Sequence, residues 1–230
     1  MQGMLKKALV GLIGLLMLGL WLGLSPVIAE EKPVYGGVMK VAIAGDPPSL
    51  DMHRETTFKV MIPMGNVYNT LIKFDPHGYP KIIGDVAKSW TRSEDGNIVT
   101  FKLHRGIKFH DGTEMTSADV KASWDKIVFP GKGVVSARRS TYQMVKSIEA
   151  PDRDTIVFTL HYPAASFIPL VALPYNFIFS KARLDKDPNW YQKHTMGTGP
   201  FKMKKIVRGS YLEVERNPDY WKKGLPYLDG

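Results

Sequence analysis

The sequence predicts a mixed fold of the α/β or α+β class, in which antiparallel hairpins are interspersed with helices. Three stretches carry that prediction. Val99, Phe101 and Leu103 alternate with Thr100 and Lys102, the pattern of a strand with one buried face. Val120, Trp124, Ile127 and Val128 recur at i, i+4, i+7 and i+8, the stripe of an amphipathic helix. Ile156, Phe158 and Leu160 share one strand face and follow Val145–Ile148 through a Pro151-Asp152-Arg153-Asp154 turn, which makes a hairpin.

The remaining elements follow in chain order. Val38–Ala44 is a short apolar run around Lys40 and reads as a core strand. Gly45-Asp46-Pro47-Pro48 stops it, because two prolines remove backbone donors. Thr56 or Thr57 is placed to cap a helix carrying Val60, Met61, Val67, Tyr68, Leu71 and Ile72, disturbed at Pro63. Asp75-Pro76-His77-Gly78, Ser93-Glu94-Asp95-Gly96 and Phe109-His110-Asp111-Gly112-Thr113 are turns, since Asp accepts local backbone bonds and Gly supplies positive φ. Thr116 with Asp119 resembles a capping box opening the 120–128 helix, and Pro130-Gly131 closes it. A second hairpin runs from Phe201 to Arg216 and turns at Arg208-Gly209-Ser210.

Composition narrows the class. The 230 residues hold 31 Lys+Arg, 22 Asp+Glu, 11% aromatics and no Cys. A disordered chain is excluded by the aromatic content. The absence of Cys excludes a disulfide scaffold, thiolate metal sites, a thiol nucleophile and lipid attachment through cysteine. The start reads as an export signal. Lys6 and Lys7 precede a 17-residue apolar run, Ala8–Leu24, and Val27-Ile28-Ala29 offers a cleavage point before Glu30. The alternative is an uncleaved anchor, at the short edge of what spans about 30 Å of hydrocarbon. Removing residues 1–29 leaves 29 basic and 22 acidic side chains, a net +7. Lys202, Lys204, Lys205 and Arg208 form the densest basic cluster, on an alternating strand pattern that suits a solvated face better than nucleic acid.

The sequence carries no recognisable catalytic or metal-binding motif. None of the six His residues sits at metal-ligand spacing, and no G-x-S-x-G elbow is present. His110 beside Asp111 looks like a dyad on paper, but adjacent turn residues point apart, which favours a turn-stabilising role. Gly197-Thr198-Gly199-Pro200 lacks the Lys-Ser/Thr of a phosphate loop. Its glycines read either as plain turn chemistry or as a close approach to another segment or a ligand. No cofactor, metal or enzymatic activity is expected.

The chain resembles the bacterial extracytoplasmic solute-binding proteins for peptides and nickel, the binding subunits of ABC importers. The likeness begins at Tyr35-Gly36-Gly37, Ser49-Leu50-Asp51, Tyr68-Asn69-Thr70-Leu71 and Ala87-Lys88-Ser89-Trp90. It continues through Phe101–Thr113, Ala118-Asp119-Val120, Gly197-Thr198-Gly199-Pro200-Phe201 and Arg216-Asn217-Pro218-Asp219-Tyr220-Trp221 to Pro226-Tyr227-Leu228-Asp229. One departure is Thr195, where the family often has Pro.

The resemblance implies a type II, two-lobed periplasmic binding protein, here an N-terminal fragment. Its expected parts are a signal peptide at 1–29, a first segment of lobe I at 30–59, an inserted α+β subdomain at 60–177 and a return segment at 178–230. It implies capture of oligopeptides, dipeptides or a related solute in the periplasm, delivery to permease subunits in the inner membrane, and a monomer; an exported hydrolase and a binding module without a transporter are the alternatives. Asp46 stands where some relatives place an acidic group against a peptide's amino terminus; a turn-capping Asp is the alternative. Tyr175 and Asn176 match a segment that returns to the cleft, and Arg138, Arg139 and Tyr142 lie on the subdomain loop, suited to a carboxylate. Thr198, in the glycine loop, completes the candidate ligand-binding set. Asp46 and Tyr175-Asn176 are expected to share one cleft. Trp90, Trp124 and Tyr68 are assigned to core packing. The 230 residues alone are expected to bind ligand weakly, because one wall of the cleft is missing.

Overall fold

A computed structural model describes residues 33–230; the signal segment and its cleavage point lie outside them. The largest sheet has four antiparallel strands in the order β3-β4-β6-β5. They are β3 (Ala87–Arg92), β4 (Ile98–Leu103), β5 (Val145–Asp152) and β6 (Thr155–Leu160). The expected alternation sets the register: Val99 faces Phe158 and Phe101 faces Ile156. All four of those side chains are fully buried.

The helix Ser117–Val128 covers that face with Val120, Trp124, Ile127 and Val128, all buried. Thr116 N donates to Asp119 Oδ2 at 2.8 Å, as a capping box requires. Trp124 meets Phe158 edge-on at 5.1 Å, and Phe101 meets Phe158 likewise at 5.7 Å. Edge-to-face rings at this spacing add about 0.5–1.5 kcal/mol per pair beyond area burial. Trp124 and Tyr68 are core residues, and half-buried Trp90 packs against the same core.

Around this unit lie the short hairpin β1 (Ile72–Phe74) and β2 (Ile82–Gly84), turned by Asp75. The other hairpin is β7 (Phe201–Val207) with β8 (Tyr211–Arg216). Its register shifts between Met203 and Lys205, so Lys204 and Lys205 both reach solvent. Lys204 pairs with Glu213 at 2.7 Å and Lys205 lies over the Tyr211 ring, which makes this basic cluster a solvated face. In chain order the helices are α1 (Phe58–Met64), α2 (Ser117–Val128), α3 (Phe167–Val171) and α4 (Lys181–Lys186). Among the described residues no helix is long and apolar enough to cross a membrane.

Two expectations are corrected. Val38–Ala44 forms no strand, and Val38, Met39 and Val41 are exposed. Among the described residues its pairing is sparse: Asp229 N donates to Gly37 O and Met39 N to Gly230 O. A strand needs a ladder along its length, and this run lacks one. Helix α1, capped by Thr57 Oγ1, stops at Met64 instead of running to Ile72. The carbonyls of Asn66 and Val67 accept from Phe201 N and Gly199 N, so that backbone serves an inter-segment pairing and cannot stay helical.

Candidate ligand-binding surface

The Gly45–Glu55 segment is anchored from below. Asp51 Oδ1 accepts His53 N at 2.9 Å, and Asp51 Oδ2 pairs with the Lys126 ammonium, both side chains at 5% exposure or less. Burial lowers the Lys126 pKa, opposed by the Asp51 carboxylate. His53 Nε2 lies 2.8 Å from the Phe177 carbonyl, which only an Nε2–H tautomer satisfies. Burial first, and then Lys126, hold its pKa well below the ordinary value, so the ring is neutral with Nδ1 unpartnered.

Four candidate residues come together over the end of this segment. The Arg138 guanidinium donates to the Met52 carbonyl at 2.9 Å and the Glu55 carbonyl at 2.8 Å, and stacks 3.9 Å above the Tyr175 ring. The Tyr142 hydroxyl lies 2.9 Å from both Asn176 Oδ1 and the Leu170 carbonyl. Asn176 Nδ2 donates to the Leu170 carbonyl at 3.0 Å. Burial raises the Tyr142 pKa, so its hydroxyl stays neutral. Tyr142 and Asn176 are fully buried and Arg138 nearly so, whereas Tyr175 keeps part of its ring in solvent.

Thr198 sits in a second cluster. Its hydroxyl donates to Asn69 Oδ1 at 3.0 Å, and Asn69 Nδ2 donates to Asp85 Oδ2 at 2.9 Å. Lys222 closes the network on Asp85 Oδ1 at 2.5 Å. The glycines on either side serve close approach, one of the two readings left open above. A Cβ on Gly197 would run into the Val67 carbonyl oxygen and lie 2.7 Å from the Tyr68 ring, and one on Gly199 would meet the Val67 backbone. His110 locks this loop from the far side. Its Nδ1 accepts Gly197 N at 3.3 Å and its Nε2 donates to the Gly199 carbonyl at 3.1 Å. Burial chiefly lowers its pKa to about 4.

Asp46 stands apart. Its Oδ2 accepts Gly209 N from the β7–β8 turn at 2.8 Å, and Arg208 donates to the Pro47 carbonyl at 2.5 Å. It borders a hollow of about 800 Å³ between α1, β8 and residues 39–46. A smaller hollow of about 220 Å³ lies beside Pro174 and Phe177, the neighbours of Tyr175-Asn176. Asn66 lines both, but neither contains Asp46 together with Tyr175 or Asn176. Sequence reasoning assigned no role to Asn69, Asp85 or Lys222, whose partners lie far apart in the chain. Asn69, and Asn217, whose Nδ2 donates to the Gly199 carbonyl at 3.0 Å, occur only within stretches that carry the resemblance. Among the described residues no cluster of His, Asp and Glu is placed to hold a metal.

The fold is that of the type II periplasmic binding proteins. It recurs in two solved structures from that group. ABC transporter-associated periplasmic binding protein DppA from Helicobacter pylori, in complex with the peptide STSA, is 31% identical with a TM-score of 0.76, over 87% of this chain and 43% of the other. The oligopeptide-binding protein AppA from Bacillus subtilis, in complex with a nonapeptide, is 30% identical with a TM-score of 0.78, over 86% and 40%. Residues 81–230 match the family model of the bacterial extracellular solute-binding proteins, family 5 (Middle), and the chain belongs to that family. The glutathione-binding protein GsiB of Escherichia coli O1:K1 / APEC is 36% identical over 208 residues, 90% of this chain and 40% of that protein. The chain thus spans about two fifths of the length of the relatives it matches.

Proposed function

We propose that this protein is the substrate-binding component of an ABC importer, capturing dipeptides, oligopeptides or a related solute for inner-membrane permease subunits. One observation carries the reading: this fold recurs in DppA and AppA, both in complex with peptides, at identities of 30% and above. GsiB, a glutathione-binding protein, points the same way, since glutathione is itself a small peptide. In this reading the protein is a periplasmic monomer whose signal is cleaved after Ala29. Residues 30–59 and 178–230 belong to lobe I, and 60–177 form its inserted subdomain.

Asp46 and Tyr175 are the two candidates with surface left to offer. The carboxylate of Asp46 is steadied through Oδ2 and borders a hollow of ligand size, so it suits an ammonium group. Tyr175 presents an aromatic face stiffened by Arg138. Arg138, Tyr142 and Asn176 act behind Tyr175, holding the carbonyls of Met52, Glu55 and Leu170, while Thr198 is held by Asn69 in the second cluster. Calorimetric titration of the full-length protein with short peptides tests the reading. A dissociation constant of micromolar or below, about −8 kcal/mol, with no hydrolysis is expected. Asp46→Asn is expected to weaken peptides with a free amino terminus at least tenfold and N-acetylated ones little. Absence of peptide binding, or steady hydrolysis, overturns it.

A further inference from the structure

We infer that the hollow of about 220 Å³ beside Tyr220 is a binding site for a small carboxylate, with Lys73 as its counter-ion. The site meets the Asp46 hollow only at Asn66 and does not rest on peptide capture there. Its apolar wall is Pro174, Phe177 and Pro200; its polar rim includes Asn66, Lys73 and Tyr220. Asp85 also borders it, but the carboxylate is fully engaged. Lys222 and Asn69 hold Oδ1 at 2.5 and 3.1 Å, and Asn69 and Thr70 N hold Oδ2 at 2.9 and 3.0 Å.

The charge of Asp85 is therefore matched by Lys222. Among the described residues half-buried Lys73 has neither an ion-pair partner nor a side-chain hydrogen bond. The Tyr220 oxygen accepts Asn69 Nδ2 at 3.5 Å, which leaves its proton free to donate. Burial raises the Tyr220 pKa, so it remains a donor at neutral pH. Lys73, Tyr220 and Asn66 thus line one space of about seven water volumes at about 30 Å³ each. An acid of a few heavy atoms, or the carboxyl end of a peptide, satisfies them together.

The test is NMR titration of the full-length protein, following the Asn66 and Asn69 side-chain amides. One arm uses sodium propionate against sodium chloride at matched ionic strength, and the other a tripeptide against its C-terminal amide. Saturable shifts with propionate identify a free acid; shifts with the tripeptide but not its amide identify a peptide carboxylate. In either arm Lys73→Gln should weaken binding at least tenfold while Lys73→Arg stays within about threefold of the parent, as a point charge requires. No saturation by either probe, or unchanged affinity in Lys73→Gln, overturns the site.

Discussion

The amide of Gly209, at the tip of the β7–β8 hairpin, donates to Asp46 Oδ2 at 2.8 Å across 163 residues of sequence. The turn-capping alternative for Asp46 thus has a physical form, except that the turn it caps belongs to a distant hairpin. Asp46→Ala should lower stability by about 1 kcal/mol, the net worth of one such bond, in urea unfolding. Asp46→Asn, which keeps an acceptor, should lower it less. An unchanged midpoint in the alanine variant would remove Asp46 from this role.

Gly197→Ala and Gly199→Ala each drive a methyl into the Val67 backbone, which has no room to give. Overpacking of this kind costs about 1–3 kcal/mol, and more where the obstacle is backbone. Thermal melts should show a clear loss of stability in both variants. Gly106→Ala, at a position with open space but φ +76°, should show only the smaller cost of a strained backbone.

His110 sets an acid limit. Its folded pKa is lowered to about 4 against an ordinary 6.5, with burial dominant, Lys202 adding to the lowering and Asp111 opposing it. Between those two values the unfolded chain takes up a proton that the folded chain refuses. The stability that neutral His110 contributes is complete above pH 6.5 and is lost as pH falls to about 4, by about 3 kcal/mol. His53, also held neutral, adds to the total slope. The difference in pH dependence between the parent and His110→Gln therefore isolates His110. Identical slopes would contradict its assignment as a neutral clamp on the 197–199 loop.

Lys126 and Asp51 form a buried ion pair that ties α2 to the Gly45–Glu55 segment. Lys126→Met leaves Asp51 uncompensated and should cost about 3–5 kcal/mol. Adding Asp51→Leu should recover most of that, less the bond Asp51 Oδ1 accepts from His53 N. A single variant as stable as the parent in denaturant unfolding would show the pair to be dispensable.

Local chemistry was legible in the sequence and distant partnership was not. The alternation at 98–103, the stripe at 120–128 and the Thr116–Asp119 box each depend on neighbours within a few residues, and each stands in the structure. Val38–Ala44 has the pattern of a strand but lacks the ladder that makes one. His110 reads as a turn residue until Gly197 and Gly199, nearly 90 positions away, take up both ring nitrogens. Tyr142 and Asn176 read as independent candidates for a ligand, and the fold joins their side chains to each other, 34 residues apart.

Capture of a small solute and its release unaltered, as proposed above, are tested most directly by native mass spectrometry of the full-length protein. A bound species of dipeptide to oligopeptide mass is expected, leaving on denaturation chemically intact and replaced by added peptide. Protein carrying no small molecule and accepting none, or peptide fragments accumulating with turnover, would contradict it.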